Sequence, residues 1–102
     1  MPAYISVNVE VVNSEALAEY RQRLGPMLEA YGGRIMGRGE VVEVIGGEMP
    51  SGRHRMILME FPTIELARGW HTSPESSAEY AELRELRDRV GNAVLTIVDG
   101  DI

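Results

Sequence analysis

Residues Tyr31–Gly47 read YGGRIMGRGEVVEVIGG, with six glycines in seventeen residues. Two interpretations compete for this stretch: a loop that cradles a phosphate group, or glycines that punctuate β-strands. Val42 stands where a dinucleotide-binding fingerprint needs its third glycine, and a β-like run follows where that fingerprint needs the N-terminus of a helix. We therefore interpret the glycines as strand punctuation and expect no nucleotide site here.

Two short β-like runs lie inside this stretch, at Arg34–Arg38 and Val41–Ile45. Gly37 and Gly39 stand where a bulge or bend joins the two runs into one long strand. Gly32 and Gly33, just before the first run, are typical of the left-handed residue that follows a helix.

The residues before this stretch predict a strand and a helix. From Tyr4 the chain alternates, with Ile5, Val7, Val9 and Val11 on one side, which is the period of a half-buried strand. Asn13 and Ser14 are suitable N-cap residues. Apolar residues then follow at three- and four-residue steps, at Leu17, Tyr20, Leu24, Met27, Leu28 and Tyr31. Gly25-Pro26 interrupts this helix and predicts a kink or a short break.

The residues after the stretch predict a strand, two helical pieces and a last strand. Arg55–Phe61 is a nearly continuous apolar run that ends at Pro62, and Thr63 can cap a short helix. Ser73-Pro74 is typical of an N-cap followed by the first helical residue, and predicts the start of a longer helix. Gly91-Asn92 ends that helix, and AVLTIV, residues 93–98, forms the final strand.

The predicted order is βαββαβ, with the second helix in two pieces. This order is the split βαβ pattern of an α+β, ferredoxin-like fold, in which a four-stranded antiparallel sheet carries its helices on one face. A chain of 102 residues has the size of a single domain, which we place at residues 1–102.

The strands MILM (residues 56–59) and AVLTIV (93–98) have apolar side chains on both faces. An antiparallel sheet with one solvated face should alternate, so the face away from the helices is expected to be at least partly covered. The simplest cover is a second copy of the chain laid sheet against sheet, as a homodimer. The alternative is a monomer whose sheet is slightly apolar.

Composition limits the partners. Sixteen acidic and ten basic residues give a net charge of −6, which disfavours nucleic acid and anionic membranes. No cysteine is present, the two histidines have no metal-ligand spacing, and we expect neither a metal nor a cofactor. The chain shows no secretory signal and no apolar run long enough to span a membrane, so a cytoplasmic location is expected.

Several segments resemble the bacterial domain-of-unknown-function family 1330: MPAYISVNVEV, YGGRIMGRG, VVEVIGGEMP and ILMEFPTIELARGWHTSPE, with a final strand ending in VDG. The resemblance covers nearly the whole chain and implies the dimeric α+β barrel superfamily, in which two ferredoxin-like domains pack sheet to sheet. By analogy with that superfamily it implies a cofactor-independent monooxygenase or isomerase. Haem, which some superfamily members carry, has only His71 as a candidate ligand here.

The candidate site combines aromatic and titratable side chains near the predicted helix breaks. We expect a pocket between the first helix, the short second helix and the sheet, with Tyr20, Trp70 and His71 around it and His71 and Tyr20 as catalytic groups. Tyr31 and Arg34 are further candidates for ligand binding. The alternatives are core rings for both tyrosines, a partly buried structural role for His71, and a salt bridge to a nearby carboxylate for Arg34.

Two hypotheses for the function follow. In the first, the domain binds or transforms a small organic molecule in this pocket. In the second, it is a non-catalytic ligand-binding or protein-interaction module. A closed pocket that contains His71 or a tyrosine hydroxyl favours catalysis, whereas a His71 exposed to solvent, or packed without a void, leaves only the module.

Overall fold

The structure is a computed structural model that describes residues 2–73 and 77–100. Its elements, in chain order, are β1 (Ala3–Val11), α1 (Ser14–Glu29), β2 (Arg34–Glu40), β3 (His54–Phe61), α2 (Ile64–Thr72), α3 (Ala78–Val90) and β4 (Gly91–Asp99). This order confirms the ferredoxin-like α+β prediction. None of the helices in the described part of the chain is long and apolar enough to cross a membrane.

The four strands form one antiparallel sheet in the order β2-β3-β1-β4. In the centre of the sheet, Ile5 lies opposite Met59 on one side and opposite Ile97 on the other. Because side chains alternate along a strand, the odd-numbered residues of β1 all point to the helices and are buried. The even-numbered residues form the other side of the sheet, which we call the outer face.

Both ends of α1 are set by the residues that the sequence indicates. The Asn13 side chain accepts a 3.0 Å hydrogen bond from the backbone N–H of Ala16 at the N-terminus. At the other end Gly32 has a φ of 71°, in the left-handed region that favours glycine, and the N–H of Gly33 donates to the carbonyl of Leu28.

Pro26 lies inside α1, which runs unbroken from Ser14 to Glu29. The short break that the sequence predicts at Gly25-Pro26 is therefore wrong. Leu24 and Leu28, on either side of the proline, are both fully buried. Packing of the two halves on the same core holds the helix together across the residue that lacks an N–H.

The prediction for Val41–Ile45 is also wrong, because β2 ends at Glu40 and these residues form no strand. The pairing of β2 with β3 shifts register between Ile35 and Gly37, which places an irregularity in the glycine-rich part of the strand as expected. Beyond Glu40 the chain has only one more backbone bond to β3, from the N–H of Val41 to the carbonyl of His54. Without a neighbouring strand to pair with, Val42 and Ile45 are 94% and 93% exposed.

The boundary between the two later helices also differs from the prediction. Ser73 ends α2, since it has helical backbone angles and stands at the C-cap. The long helix α3 begins at Ala78, with Ser77 at the N-cap position. The predicted helix start at Ser73 is therefore wrong, and Pro74 lies outside the described residues.

Candidate functional site

Helix α2 holds Trp70 in the core through its caps. The Thr63 hydroxyl accepts a 3.2 Å hydrogen bond from the N–H of Leu66, which confirms the predicted N-cap. At the other end the buried hydroxyl of Ser73 donates a 2.6 Å bond to the carbonyl of Trp70. Ala67 and Trp70 are the buried residues of the helix, and the Trp70 ring lies 6.0 Å from the ring of Phe61. The position of the indole is therefore fixed by the end of the helix and by the sheet.

A small cavity lies between the end of α2 and the facing side of α3. Its lining residues are Trp70, His71, Ser73, Tyr80, Leu83, Arg84 and Arg87. The centre of a water-sized sphere can move through about 10 Å³ of it, which is room for about one water molecule. His71 and Arg84 are exposed, so the cavity lies just beneath the surface.

Three buried polar atoms close to this cavity have no hydrogen-bond partner among residues 2–73 and 77–100: the hydroxyl of Tyr20, Nε1 of Trp70 and Nε of Arg87. Trp70 and Arg87 line the cavity, whereas Tyr20 projects from α1 and lies behind Arg87. Burial of a polar group without a partner costs about 1–3 kcal/mol, and native proteins have few such groups. Their concentration at one cavity marks it as the polar centre of an otherwise apolar core.

Burial raises the pKa of the Tyr20 hydroxyl above its ordinary value of 10.0. The guanidinium of Arg87 partly opposes this shift, although no hydrogen bond of regular geometry joins the two side chains. Tyr20 is therefore a neutral phenol at neutral pH, and its O–H can donate a hydrogen bond.

Tyr80 forms the wall of the cavity nearest the C-terminus of α1. Its hydroxyl donates a 3.0 Å hydrogen bond to the carbonyl of Met27, and its ring meets the ring of Tyr31 edge to face at 5.8 Å. Burial, followed by the nearby Tyr31 and Glu79, raises the pKa of Tyr80. Because its hydroxyl is already hydrogen-bonded, Tyr80 is a structural wall of the cavity.

The structure does not bring all of the site residues predicted from the sequence together. Trp70 and His71 line one cavity. Tyr20 is 2% exposed and does not line that cavity, but it interacts with Arg87, which does. His71 is exposed, where the sequence argument expected it partly buried. The cavity also lies between α2 and α3, whereas the expected pocket was between α1, the short helix and the sheet. Tyr20 packs on that side of α1 together with Leu24 and Leu28, as part of the core.

Tyr31 and Arg34 do not line this cavity. The ring of Tyr31 packs against Tyr80 and lies close to Gly69, as a core ring does. Arg34 forms two contacts with Oε1 of Glu60, at 2.9 Å from Nε and 2.8 Å from a terminal nitrogen. The salt bridge considered as the alternative for Arg34 is present.

Sequence reasoning missed Arg84 and Arg87. Tyr80, Arg84 and Arg87 follow each other at steps of four and three residues, so they form one stripe along α3. The stripe lies next to the apolar residues of the helix. Its spacing could therefore have indicated that both arginines lie close to the core. Neither arginine has an ion pair within residues 2–73 and 77–100.

No group of three or more histidine, aspartate or glutamate side chains in the same ranges is placed to hold a metal.

A second feature is the outer face of the sheet, which is open to solvent. Met56 of β3 and Val94 and Val98 of β4 are 42%, 64% and 49% exposed. Residues 41–53 stand beside this face and leave a cleft of about 640 Å³, lined mainly by Met36, Met49, Met56, Leu58 and the glycine-rich part of β2. The apolar outer face expected from MILM and AVLTIV is therefore present in the single chain.

Residues 2–101 match the family described as Domain of unknown function (DUF1330). The chain belongs to the DUF1330 family. No curated protein matches it significantly.

Solved structures share the fold of this DUF1330 domain at low sequence identity. A protein of unknown function from Rhodopseudomonas palustris is 18% identical with a TM-score of 0.75, over 99% of this chain and 83% of that one. A dimeric ferredoxin-like protein of unknown function from Jannaschia sp. is 7% identical with a TM-score of 0.67, over 98% and 100%. SnoaB, a cofactor-independent oxygenase from Streptomyces nogalater, is 5% identical with a TM-score of 0.66, over 99% and 94%. At these identities the likeness supports the fold alone.

Proposed function

We propose that this DUF1330 domain binds a small organic molecule at the cavity between α2 and α3, which we call the α2–α3 cavity. The observation that carries the proposal is the N–H of Trp70, which is buried, has no acceptor in the described part of the chain, and belongs to a residue that lines the cavity. Small-molecule sites combine apolar and aromatic walls with a few polar groups that fix orientation. Trp70, Leu83 and Tyr80 supply such walls, and the indole N–H supplies the polar group.

The size of the cavity limits what it can hold. Room for about one water molecule accommodates one oxygen atom or one small substituent of a ligand. The rest of the ligand then lies outward, past the exposed side chains of His71 and Arg84. The site recognises one end of a molecule.

The position of His71 favours binding over catalysis by that residue. The sequence argument required a closed pocket containing His71 or a tyrosine hydroxyl for catalysis, and His71 is exposed to solvent. We therefore propose first that the domain is a non-catalytic ligand-binding module.

The exposure of His71 rules out the catalytic hypothesis made from the sequence. A second candidate, transformation of the bound molecule without His71, rests on Tyr20 and Arg87. A protonated phenol beside a guanidinium can stabilise negative charge that develops on a ligand oxygen. The oxygenase SnoaB shares the fold and works without a cofactor, so the analogy is with enzymes of that kind. Conversion of a bound ligand by the wild-type protein, lost on Tyr20→Phe with binding retained, distinguishes this candidate from the module.

We also propose that the domain is a homodimer in which two outer faces pack together. The exposed apolar residues of β3 and β4 and the uncovered segment 41–45 are the surface that a second copy would bury. The structural relative from Jannaschia is described as dimeric. Light scattering should give about twice the chain mass of 11.3 kDa at micromolar concentration, and a mass near that of one chain would overturn this part of the proposal.

Ligand binding can be tested with the indole of Trp70 as the reporter. The chain has one tryptophan, so a ¹⁵N-labelled sample gives a single side-chain indole N–H signal. A library of small aromatic and carbonyl fragments should contain compounds that move this signal saturably. If binders move only the backbone signals of outer-face residues such as Met56 and Val94, the ligand site is the cleft beside the sheet and the proposal for the α2–α3 cavity is wrong.

A further inference from the structure

We infer that Arg87 makes the α2–α3 cavity selective for the carboxylate group of a small organic acid. The inference rests on the proposed function, because it names the chemical class of the ligand at the same site. It starts from the charge of Arg87, which no sequence argument included. A guanidinium is charged at any pH a protein encounters, so its surroundings must accommodate a cation.

No carboxylate within residues 2–73 and 77–100 forms an ion pair with Arg87. Its Nε is buried without an acceptor, and the side chain has no ion pair within the described ranges 2–73 and 77–100. The carboxylates of the same helix do not line the cavity, and Glu82 instead faces Arg23 at 3.8 Å. The Arg87 side chain as a whole is half-buried, so it is the Nε–H that has lost its water, and burial of that donor costs free energy unless an acceptor replaces the water. An anionic ligand supplies that replacement.

The neighbouring polar groups are also donors. The indole of Trp70 can only donate, and the neutral hydroxyl of Tyr20 beside Arg87 can donate as well. Tyr80, the other hydroxyl-bearing ring at the cavity, already donates to the carbonyl of Met27. The indole N–H of Trp70 and the Nε–H of Arg87 are thus two buried donors at one cavity that have no acceptor within residues 2–73 and 77–100. A ligand that satisfies them must bring oxygen atoms with lone pairs.

Size and shape select a carboxylate among the anions. The cavity has room for about one oxygen atom, and a flat carboxylate can place one oxygen there while the other faces the second edge of the guanidinium. A tetrahedral phosphate has oxygens outside the plane of the guanidinium, whereas a flat carboxylate can place both of its oxygens in that plane. Arg84, one turn before Arg87 on the same lining, adds positive charge at the mouth. In a chain of net charge −6 this local excess of cations is what allows an anion to approach.

The test compares two probes that differ in charge and hardly in shape. Sodium benzoate and benzamide are titrated into the full ¹⁵N-labelled chain at constant ionic strength, and the indole N–H signal of Trp70 reports binding. We expect benzoate to bind at least about tenfold more tightly than benzamide, because charge-assisted hydrogen bonds are about twice as strong as neutral ones. Inorganic phosphate, as the third probe, should leave the signal in place, and phosphate that binds as tightly as benzoate would overturn the selectivity for carboxylates.

Matched variants on α3 assign the selectivity to one side chain. Arg87→Met keeps most of the apolar stem and removes the charge, and should reduce benzoate affinity to that of benzamide. Arg89→Met, an exposed arginine of the same helix outside the cavity lining, should leave both affinities within about twofold. Arg87→Lys keeps the charge and should retain part of the preference.

Each outcome decides the inference. Equal binding of benzoate and benzamide to the wild-type chain overturns it and leaves the proposed function intact, since a neutral ligand then occupies the cavity. An indole signal that neither compound moves at about 50 mM overturns it as well, and the fragment screen then decides the proposed function separately. The wild-type comparison does not depend on variants, so it remains decisive if Arg87→Met fails to fold.

Discussion

The hydroxyl of Tyr80 in α3 donates a 3.0 Å hydrogen bond to the backbone carbonyl of Met27 in α1. The last carbonyls of a helix have no partner within the helix, so this bond satisfies one of them. The same residue forms a wall of the α2–α3 cavity. The contact thus ties the position of the cavity wall to the end of α1.

We predict that Tyr80→Phe lowers the free energy of unfolding by about 1 kcal/mol, because it removes the hydroxyl and leaves the carbonyl of Met27 without its donor. The ring remains, so the contact with Tyr31 is kept. Urea unfolding followed by circular dichroism measures the change. A variant as stable as the wild type would show that water replaces the hydroxyl without cost.

Tyr20→Phe should behave in the opposite way. The Tyr20 hydroxyl is buried without a hydrogen-bond partner, so its removal relieves a desolvation cost while the buried ring stays in place. We expect a free energy of unfolding equal to or above that of the wild type at neutral pH. A loss of more than about 1 kcal/mol would mean that the hydroxyl is hydrogen-bonded in solution.

The raised pKa of Tyr20 also predicts a difference at alkaline pH. Above pH 10.0, the ordinary pKa of tyrosine, the unfolded chain loses the phenol proton while the folded chain keeps it. The folded state then binds more protons, so its stability falls as pH rises. Tyr20→Phe removes this contribution, and its unfolding free energy should fall less steeply between about pH 10 and 11 than that of the wild type. Parallel curves would contradict the raised pKa.

Gly33 is required for a packing reason that the sequence alone does not show. A Cβ atom built at this position would lie 2.7 Å from the ring of Phe61, which is fully buried. We predict that Gly33→Ala lowers the unfolding free energy by about 1–3 kcal/mol, the usual cost of overpacking. Gly37→Ala is the control, since a Cβ there meets nothing within 4 Å. Equal stability of the two variants would show that Phe61 moves aside freely.

The glycines show which features of the fold could be predicted from the sequence. It identified Gly32 and Gly33 as the end of a helix, because a left-handed turn leaves a local signature in residue type. The order of elements and the core face of β1 followed from periodicity in the same way. The failure at Val41–Ile45 has the opposite cause: a run of β-branched residues becomes a strand only if another strand pairs with it, and the single chain provides none.

The candidate site could be predicted from the sequence less completely than the fold. Trp70 and His71 were placed at one cavity, since both follow from a single short helix. Arg87 was missed because the burial of its Nε next to a cavity is a property of the three-dimensional structure. The exposure of His71 likewise depends on the rotation of α2, which Trp70 and Ala67 fix by packing.

Leu58 provides the test of the dimer. It lies opposite Ser6 in the sheet register, on the outer face, and it lines the cleft beside that face. We predict that Leu58→Arg converts the dimer to a monomer, because two such faces packed together would bury an unpaired cation from each chain. Leu95 of β4 is unsuitable for the same test, because it lies opposite Val7 on the core side, where arginine would unfold the chain instead.

The matched control is Val12→Arg, which adds the same charge at a residue that is 70% exposed and lies outside β1 and the outer-face clefts. Light scattering at micromolar concentration should give the mass of one chain for Leu58→Arg and of two chains for Val12→Arg. Circular dichroism of both variants must match the wild type, so that loss of the dimer is not loss of the fold. A Leu58→Arg protein that is folded and still dimeric would contradict an interface that buries Leu58.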